Sequence, residues 1–185
     1  MQKAKGVGDR MESLELSQSL LESSTDCIKL HDLDAHLLFM NGGGCKTLAI
    51  DDFSQVANVY WLDFWKGTDA SAARAAFETA KAGGIGHFQG HCPTWKGTPK
   101  CWDVVITPIF GAHGKPERLL AISRDITEAR QAEDELRATL ESIGDGFVAF
   151  DAEWRFLYVN QPAERLSRKR REELLGQNKT LIRCN

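Results

Sequence analysis

The chain repeats itself, and that constrains it more than any other feature. Leu21-Glu22-Ser23, Asp26, Asp32, Leu38 and Asn41 recur as Leu140-Glu141-Ser142, Asp145, Asp151, Leu157 and Asn160, every pair 119 residues apart with no gap. Unmatched positions keep their character: Ile28 against Phe147, Leu37 against Phe156, Phe39 against Tyr158, Met40 against Val159. Self-similarity at a fixed offset marks a repeated structural unit, and so long a period implies tandem domains rather than a solenoid. The second copy starts near Asp145 and reaches Asn185, room for only the opening of the unit. A length of 185 residues suits one domain and a fraction.

The first copy reads as a series of elements. Met11 to Ser24 carries Leu14, Leu16, Leu20 and Leu21 among polar residues, the pattern of an amphipathic helix. Cys27–His31 and Leu37–Met40 are strand-like and flank the turn-forming Asp32-Leu33-Asp34-Ala35, which makes a hairpin. Asn41 ends the second strand and suits a helix cap. Gly42-Gly43-Gly44 after it disfavours helix, so an irregular first turn is expected before a short helix over Thr47–Ile50. Tyr60–Trp65 reads as a short helical turn. Ala70–Ala82 reads as a helix capped near Thr68 or Asp69 and stopped at Gly83-Gly84. Strands follow at Ile85–Cys92, Lys100–Phe110 and Arg118–Asp125, and the last two are apolar on both faces. Such strands need cover on each side. The intervening helices supply one cover, and the N-terminal helix or a partner chain the other.

The fold class expected is α+β: a five-stranded antiparallel sheet with short helices on one face, an N-terminal helix and a C-terminal linker helix. The segments are 1–24 for the N-terminal helix, 25–126 for the domain, 127–143 for the linker and 144–185 for the partial second domain. Along the linker, Ala129, Leu136, Leu140 and Ile143 keep heptad-compatible spacing with Glu133 in one seam position. That seam suits pairing with a second copy, and a surface helix packed on its own domain fits the same spacing.

This order of elements resembles the PAS domain family. The resemblance rests on Asp26–Asn41 and its repeat Asp145–Asn160, on the run Cys101–Ile109, on Ser123-Arg124-Asp125-Ile126-Thr127, and on Arg171–Gly176. It implies a sensory and dimerisation module, the input part of a bacterial signal-transduction protein such as a two-component sensor histidine kinase. It also implies a relay through Asp125, Ile126 and Thr127 into the linker, with the Asp pairing at the end of the core and the Thr capping the helix. Thr127 followed by Glu128 is also what ordinary helix capping expects. The partners implied are a second copy, through the N-terminal and linker helices, and an effector domain or kinase. The alternative is a free-standing PAS protein holding a small molecule, flavin or haem.

Composition narrows the classes. A net charge of −3 argues against a general nucleic-acid binder. The basic run Arg165, Arg168, Lys169, Arg170, Arg171 is flanked by Glu164, Glu172 and Glu173, which suits a solvated helix face. No apolar run approaches the roughly 20 residues of a membrane span. Met1–Arg10 lacks the apolar stretch of a secretory signal. Five cysteines without a C-x-x-C pattern fit reduced thiols, hence a cytoplasmic setting. No nucleophile–base signature appears, and Gly42–Thr47 lacks the spacing of a phosphate loop, so the chain is not expected to be an enzyme.

Candidate chemistry is sparse. Cys45 follows glycines where flavin-adduct photoreceptors of the family carry a reactive cysteine, but Gly44 and Lys46 replace the Asn and Arg of their motif. The helix that presents an axial histidine in haem-binding relatives has none here; His87 and His91 lie beyond it on a strand. For zinc, His87, His91, Cys92 and Cys101 cluster across a hairpin, yet Cys92 points away from the two histidines, so sheet-surface residues explain them better. For a small organic ligand, Trp61, Phe64, Phe77, Phe88, Trp102, Val104 and Ile122 are the expected lining, unless the same residues fill the core.

Overall fold

The computed structural model describes residues 15–178, which divide into two compact units at Thr127/Glu128. The expectations for Met1–Arg10, for the helix start at Met11–Leu14 and for the chain after 178 lie outside the described residues.

The first unit opens with helix α1 over 15–23. Its sheet contains β1 (Cys27–His31), β2 (Leu37–Met40), β3 (Gly86–His91), β4 (Cys101–Phe110) and β5 (Pro116–Asp125), in spatial order β2-β1-β5-β4-β3. Every neighbouring pair is antiparallel. Between β2 and β3 lie α2 (Gly42–Thr47), two 3-10 turns (Phe53–Gln55 and Trp61–Phe64) and α3 (Gly67–Lys81). The α+β architecture is the one expected from the sequence. Helix α3 turns Ala73, Ala76, Phe77 and Ala80 inward. Its alanines let the backbones approach closely: a Cβ on Gly86 would lie 2.0 Å from the Ala76 carbonyl oxygen.

Register explains which side chains share the inner face. Lys29 stands opposite Ala121, which stands opposite Ile106; Ser123 stands opposite both Cys27 and Val104. Successive strand residues alternate faces, so Cys27, Lys29, His31, Leu119, Ala121, Ser123, Trp102, Val104 and Ile106 look toward the helices, and all are buried. The outer face carries Ile28, Leu30, Leu120, Ile122, Val105 and Thr107. The N-terminal helix was one expected cover for it. Residues 15–23 are themselves exposed, Leu16 and Leu20 included, so the described part of α1 does not cover that face.

Two local expectations are corrected. The glycine triplet is not an irregular prelude to a helix at Thr47–Ile50; the helix is the triplet itself, Gly42–Thr47, capped by Asn41 Oδ1 accepting from Gly44 N. Helix α3 has no side-chain cap at Thr68 or Asp69. Its N-cap is Lys66, and the Asp69 carboxylate instead accepts from His91 N at 2.8 Å.

The second unit contains most of α4 (Thr127–Ser142), then β6 (Val148–Phe150) paired antiparallel with β7 (Phe156–Val159), α5 (Gln161–Ser167) and α6 (Arg171–Leu174). Its small core is Val159, Ala163 and Leu174 with Phe156 against it. No helix among the described residues is long and apolar enough to cross a membrane.

A candidate ligand cavity and a strand-to-helix joint

The repeat seen in the sequence is a repeat of hydrogen bonds. Asn41 Oδ1 accepts from Ile28 N and Gly44 N, while its Nδ2 donates to the Leu21 and Asp26 carbonyls. Asn160 does the same 119 residues later, accepting from Phe147 N and Ala163 N and donating to the Leu140 and Asp145 carbonyls. Both asparagines are fully buried. Glu22 accepts from Gly42 N, and Glu141 accepts from Gln161 N. The last turn of α4 therefore stands to the second unit as α1 stands to the first. In the basic run, Arg171 is tied to Glu141 and Glu164.

Between the inner face of the first unit's sheet and its short helices lies a cavity of about 360 Å³. Leu37, Met40, Leu48, Ile50 and Val56 form apolar wall, and Trp61, Phe64, Trp65, Trp95 and Trp102 supply aromatic surface. The size falls in the range of small-molecule sites, roughly 300–1,000 Å³. Three of the residues expected to line a pocket do so: Trp61, Phe64 and Trp102. Phe77, Phe88 and Val104 are packed into the core instead. Ile122 is corrected outright; it stands on the outer face of β5 and is 37% exposed. The reason is strand parity, because Ala121 and Ser123 on either side of it face inward.

The aromatic wall is held from behind. Trp102 Nε1 donates to the Cys92 carbonyl at 2.8 Å. Trp61 meets Trp65 edge-on at 5.7 Å and His31 at 5.0 Å. His31 is completely buried, and neither ring nitrogen has a hydrogen-bond partner among the described residues. Burial, reinforced by the nearby Lys29 charge and opposed by Asp32, lowers its pKa to about 3, so the ring is neutral at ordinary pH.

Sequence reasoning missed the most unusual lining residue. Lys29 is 5% exposed on the cavity wall, its Nζ donating to Ser123 Oγ at 3.0 Å and lying 6.0 Å from the centre of the Trp102 ring. Among the described residues no carboxylate pairs with it. A buried ammonium without a counter-charge costs several kcal/mol. The signal lay in β1, Cys27-Ile28-Lys29-Leu30-His31, where apolar residues at alternate positions make the polar phase look outward.

Beside the cavity, at the start of β4 and the end of β5, sits a joint. Asp125 Oδ2 meets Lys100 Nζ at 2.5 Å. Asp125 Oδ1 accepts from both the backbone N and the hydroxyl of Thr127. Thr127 Oγ1 in turn accepts from Cys101 N at 3.0 Å, and Ile126 N donates to the Cys101 carbonyl at 2.9 Å. Burial pushes the Asp125 carboxyl up, but Lys100 and Thr127 outweigh it and hold the group below the usual carboxylate range. At this start of α4 the oxygen that accepts from the Thr127 backbone N–H is Asp125's. The Thr127 hydroxyl ties the helix to β4.

The cysteine and histidine candidates of the sequence each have a definite place in the fold. Cys45 is packed against the core and is not part of the cavity wall. Burial first, then Cys27, Glu22 and Asp52, push its thiol up. Cys92 does line the cavity, and its burial outweighs Lys29 and Lys66 to push that thiol up as well. A raised thiol pKa disfavours the thiolate at both positions. His87 pairs with Asp103 and His91 with Asp69, and no group of three or more His, Cys, Asp or Glu poised for a metal occurs among the described residues.

A family model for the PAS fold matches residues 21–131, and a second one, also for the PAS fold, matches 134–180. The chain belongs to the PAS family. It is 35% identical over 75 residues to the probable diguanylate cyclase DgcE of Escherichia coli strain K12, covering 37% of this chain but 7% of that protein. The PAS domain of an HTR-like protein from Haloarcula marismortui is 25% identical, with TM-score 0.54, over 66% of this chain and 99% of that one. A domain of a sensory box sensor histidine kinase/response regulator from Geobacter sulfurreducens shares the fold at 19% identity and TM-score 0.51, over 61% of this chain and 94% of that one. The first unit is thus a PAS sensory domain, and the second unit carries the opening strand pair and helices of the same design.

Proposed function

We propose that this PAS chain is the cytoplasmic input segment of a bacterial signal-transduction protein, most simply a two-component histidine kinase. In this reading the first PAS domain receives a small molecule, and the chain itself catalyses nothing. Its output passes along α4 into the second PAS unit and from there to an effector, with Leu136 and Ile143 available to pair α4 with a second copy.

One observation carries this reading. Trp102 and Ser123 line the cavity, while Cys101 and Asp125, one and two residues away on the same strands, hold the first turn of α4. An occupant that shifts the ends of β4 and β5 therefore favours one arrangement of the joint over another. A ligand moves an equilibrium only through such a difference in affinity.

Val56→Phe, which fills part of the cavity from the wall, serves as a built-in occupant. Amide exchange across residues 127–131 is expected to change by about fivefold or more relative to the parent chain, as for a shift in a local opening equilibrium. Asp125→Asn should abolish that response. Unchanged exchange at 127–131 in a Val56→Phe chain that remains folded would refute the relay.

A further inference from the structure

We infer that the cavity of the first unit is built for an organic anion, a carboxylate on a largely apolar or aromatic body, with Lys29 as its counter-ion. The inference rests on the reading of that cavity as a receptor site and names the class of ligand it takes.

Lys29 projects from β1 into a wall made largely of leucine, isoleucine, valine, methionine, phenylalanine and tryptophan, which Asp63, Lys66, Cys92, Pro93, Thr94 and Ser123 complete. Its only hydrogen bond among those described is the one to the Ser123 hydroxyl, a neutral partner. An ammonium has three donors, so Lys29 has capacity left over on the cavity side of the sheet. The Trp102 ring face adds a cation–π contact at the limit of its range. The remaining charged groups of the lining, Asp63 and Lys66, are exposed, and the Lys66 amine donates to the Asp63 carbonyl rather than to anything near Lys29. His31, the other ionisable group on the inner face of β1, is neutral and brings no negative charge.

A second observation points the same way. Trp65 also lines the cavity, is almost fully buried, and its Nε1 donor has no partner among the described residues. Among the described residues the cavity wall thus combines a buried positive charge without a carboxylate partner and an unused donor with a broad apolar surface, and it lacks any buried acceptor carboxylate. Polar groups of that sort are what fix the orientation of a ligand whose affinity comes from apolar contact. An apolar monocarboxylate satisfies both.

The test uses the whole chain and paired probes. Decanoate and indole-3-acetate are titrated by calorimetry against decanamide and indole-3-acetamide, and decyl phosphate is added to distinguish a carboxylate from a phosphate head. At least one acid is expected to bind 10-fold or more tightly than its amide, because only the acid offers a charge to Lys29 (about tenfold per 1.4 kcal/mol). Lys29→Met, of similar length and apolar, should bring acid and amide within about twofold of each other, the difference having come from the charge. Decyl phosphate binding at least as tightly as decanoate would overturn the choice of carboxylate. Acid and amide binding alike to the parent chain would overturn the counter-ion role while leaving the cavity a receptor site. Absence of binding by every probe at 1 mM, with native mass spectrometry showing no small molecule on the chain as purified, would overturn both. The acid–amide comparison needs no variant, so it decides even where Lys29→Met does not fold.

Discussion

At the scale of single residues, two buried polar side chains of the first hairpin are treated in opposite ways. Asn41, at the end of β2, accepts from two backbone N–H groups and donates to the Leu21 and Asp26 carbonyls, and its copy Asn160 makes the four matching bonds. His31, by contrast, is buried between Trp61 and Phe77 with no partner for either nitrogen. A histidine whose folded pKa lies near 3 binds fewer protons when folded than when unfolded across the interval from about 6.5 down to 3. Stability is therefore complete above 6.5 and falls steadily as the pH drops through that window. Urea unfolding of the parent chain should show this acid loss, and His31→Leu should flatten it. The same substitution should raise the stability of the first unit at pH 7 by about 1 kcal/mol, since it removes two unsatisfied buried nitrogens. A pH profile of His31→Leu that still declines between 6.5 and 4 as steeply as the parent's would contradict this account. Lys29 belongs to the same strand and the same inner face. Its burial is the residue-scale fact on which the ligand class turns.

At the scale of elements, α2 overturns a propensity argument. Glycine costs about 1 kcal/mol per helical position relative to alanine, which made Gly42-Gly43-Gly44 look like a poor helix start. The structure shows what they are for. A Cβ on Gly43 would come 2.1 Å from the Ser24 carbonyl oxygen, and one on Gly44 would come 2.6 Å from the Cys27 sulfur and 2.8 Å from Met40. The helix is pressed against the end of α1 and the first strand, and only residues without a side chain fit. Gly43→Ala should accordingly destabilise the first unit by about 1–3 kcal/mol despite its better helix propensity, because the clash is with backbone and relief requires a main-chain shift. Thermal or urea unfolding reads this directly, and a neutral or stabilising Gly43→Ala would show that the close packing of α2 is not needed. Helix α4 illustrates a different point. It begins on a bond network with β4 and β5 and ends on one with β7 and α5, so one element is both the exit of the first PAS domain and the entry of the second.

At the scale of the whole molecule, the two units carry separate versions of one asparagine hub. Asn41→Ala strands buried donors and an acceptor in the first unit only, Asn160→Ala in the second only. Each should speed amide exchange about tenfold or more in its own unit, residues 26–45 or 145–164, and leave the other within about twofold, as expected for local opening with distinct free energies. Exchange that rises equally in both units for either variant would show that they open together.

Much of this was legible in the residues. The repeat, the two hairpin strands, the three long strands and the helix before them follow from local periodicity and turn chemistry, and they suffice for the five-stranded α+β sheet. The candidate site was legible only in part: Trp61, Phe64 and Trp102 were named for the wall, whereas Ile122 was placed on the wrong face and Lys29 was not seen. The physical reason is parity. A strand such as Gly86–His91, with small or apolar residues on one phase and polar ones on the other, declares its inner side. In β1 the apolar phase, Ile28 and Leu30, lies outside and the phase with Lys29 and His31 inside, while β5 carries apolar residues on both phases, so local pattern misleads in one and is silent in the other. The amino-acid sequence by itself determined the elements, their order and the duplication of the unit. Pairing between residues far apart in the chain, Lys29 with Ser123, Gly43 against Ser24, Cys101 with Thr127, decided which polar groups went inside, which glycines were indispensable, and where a charge came to face a cavity.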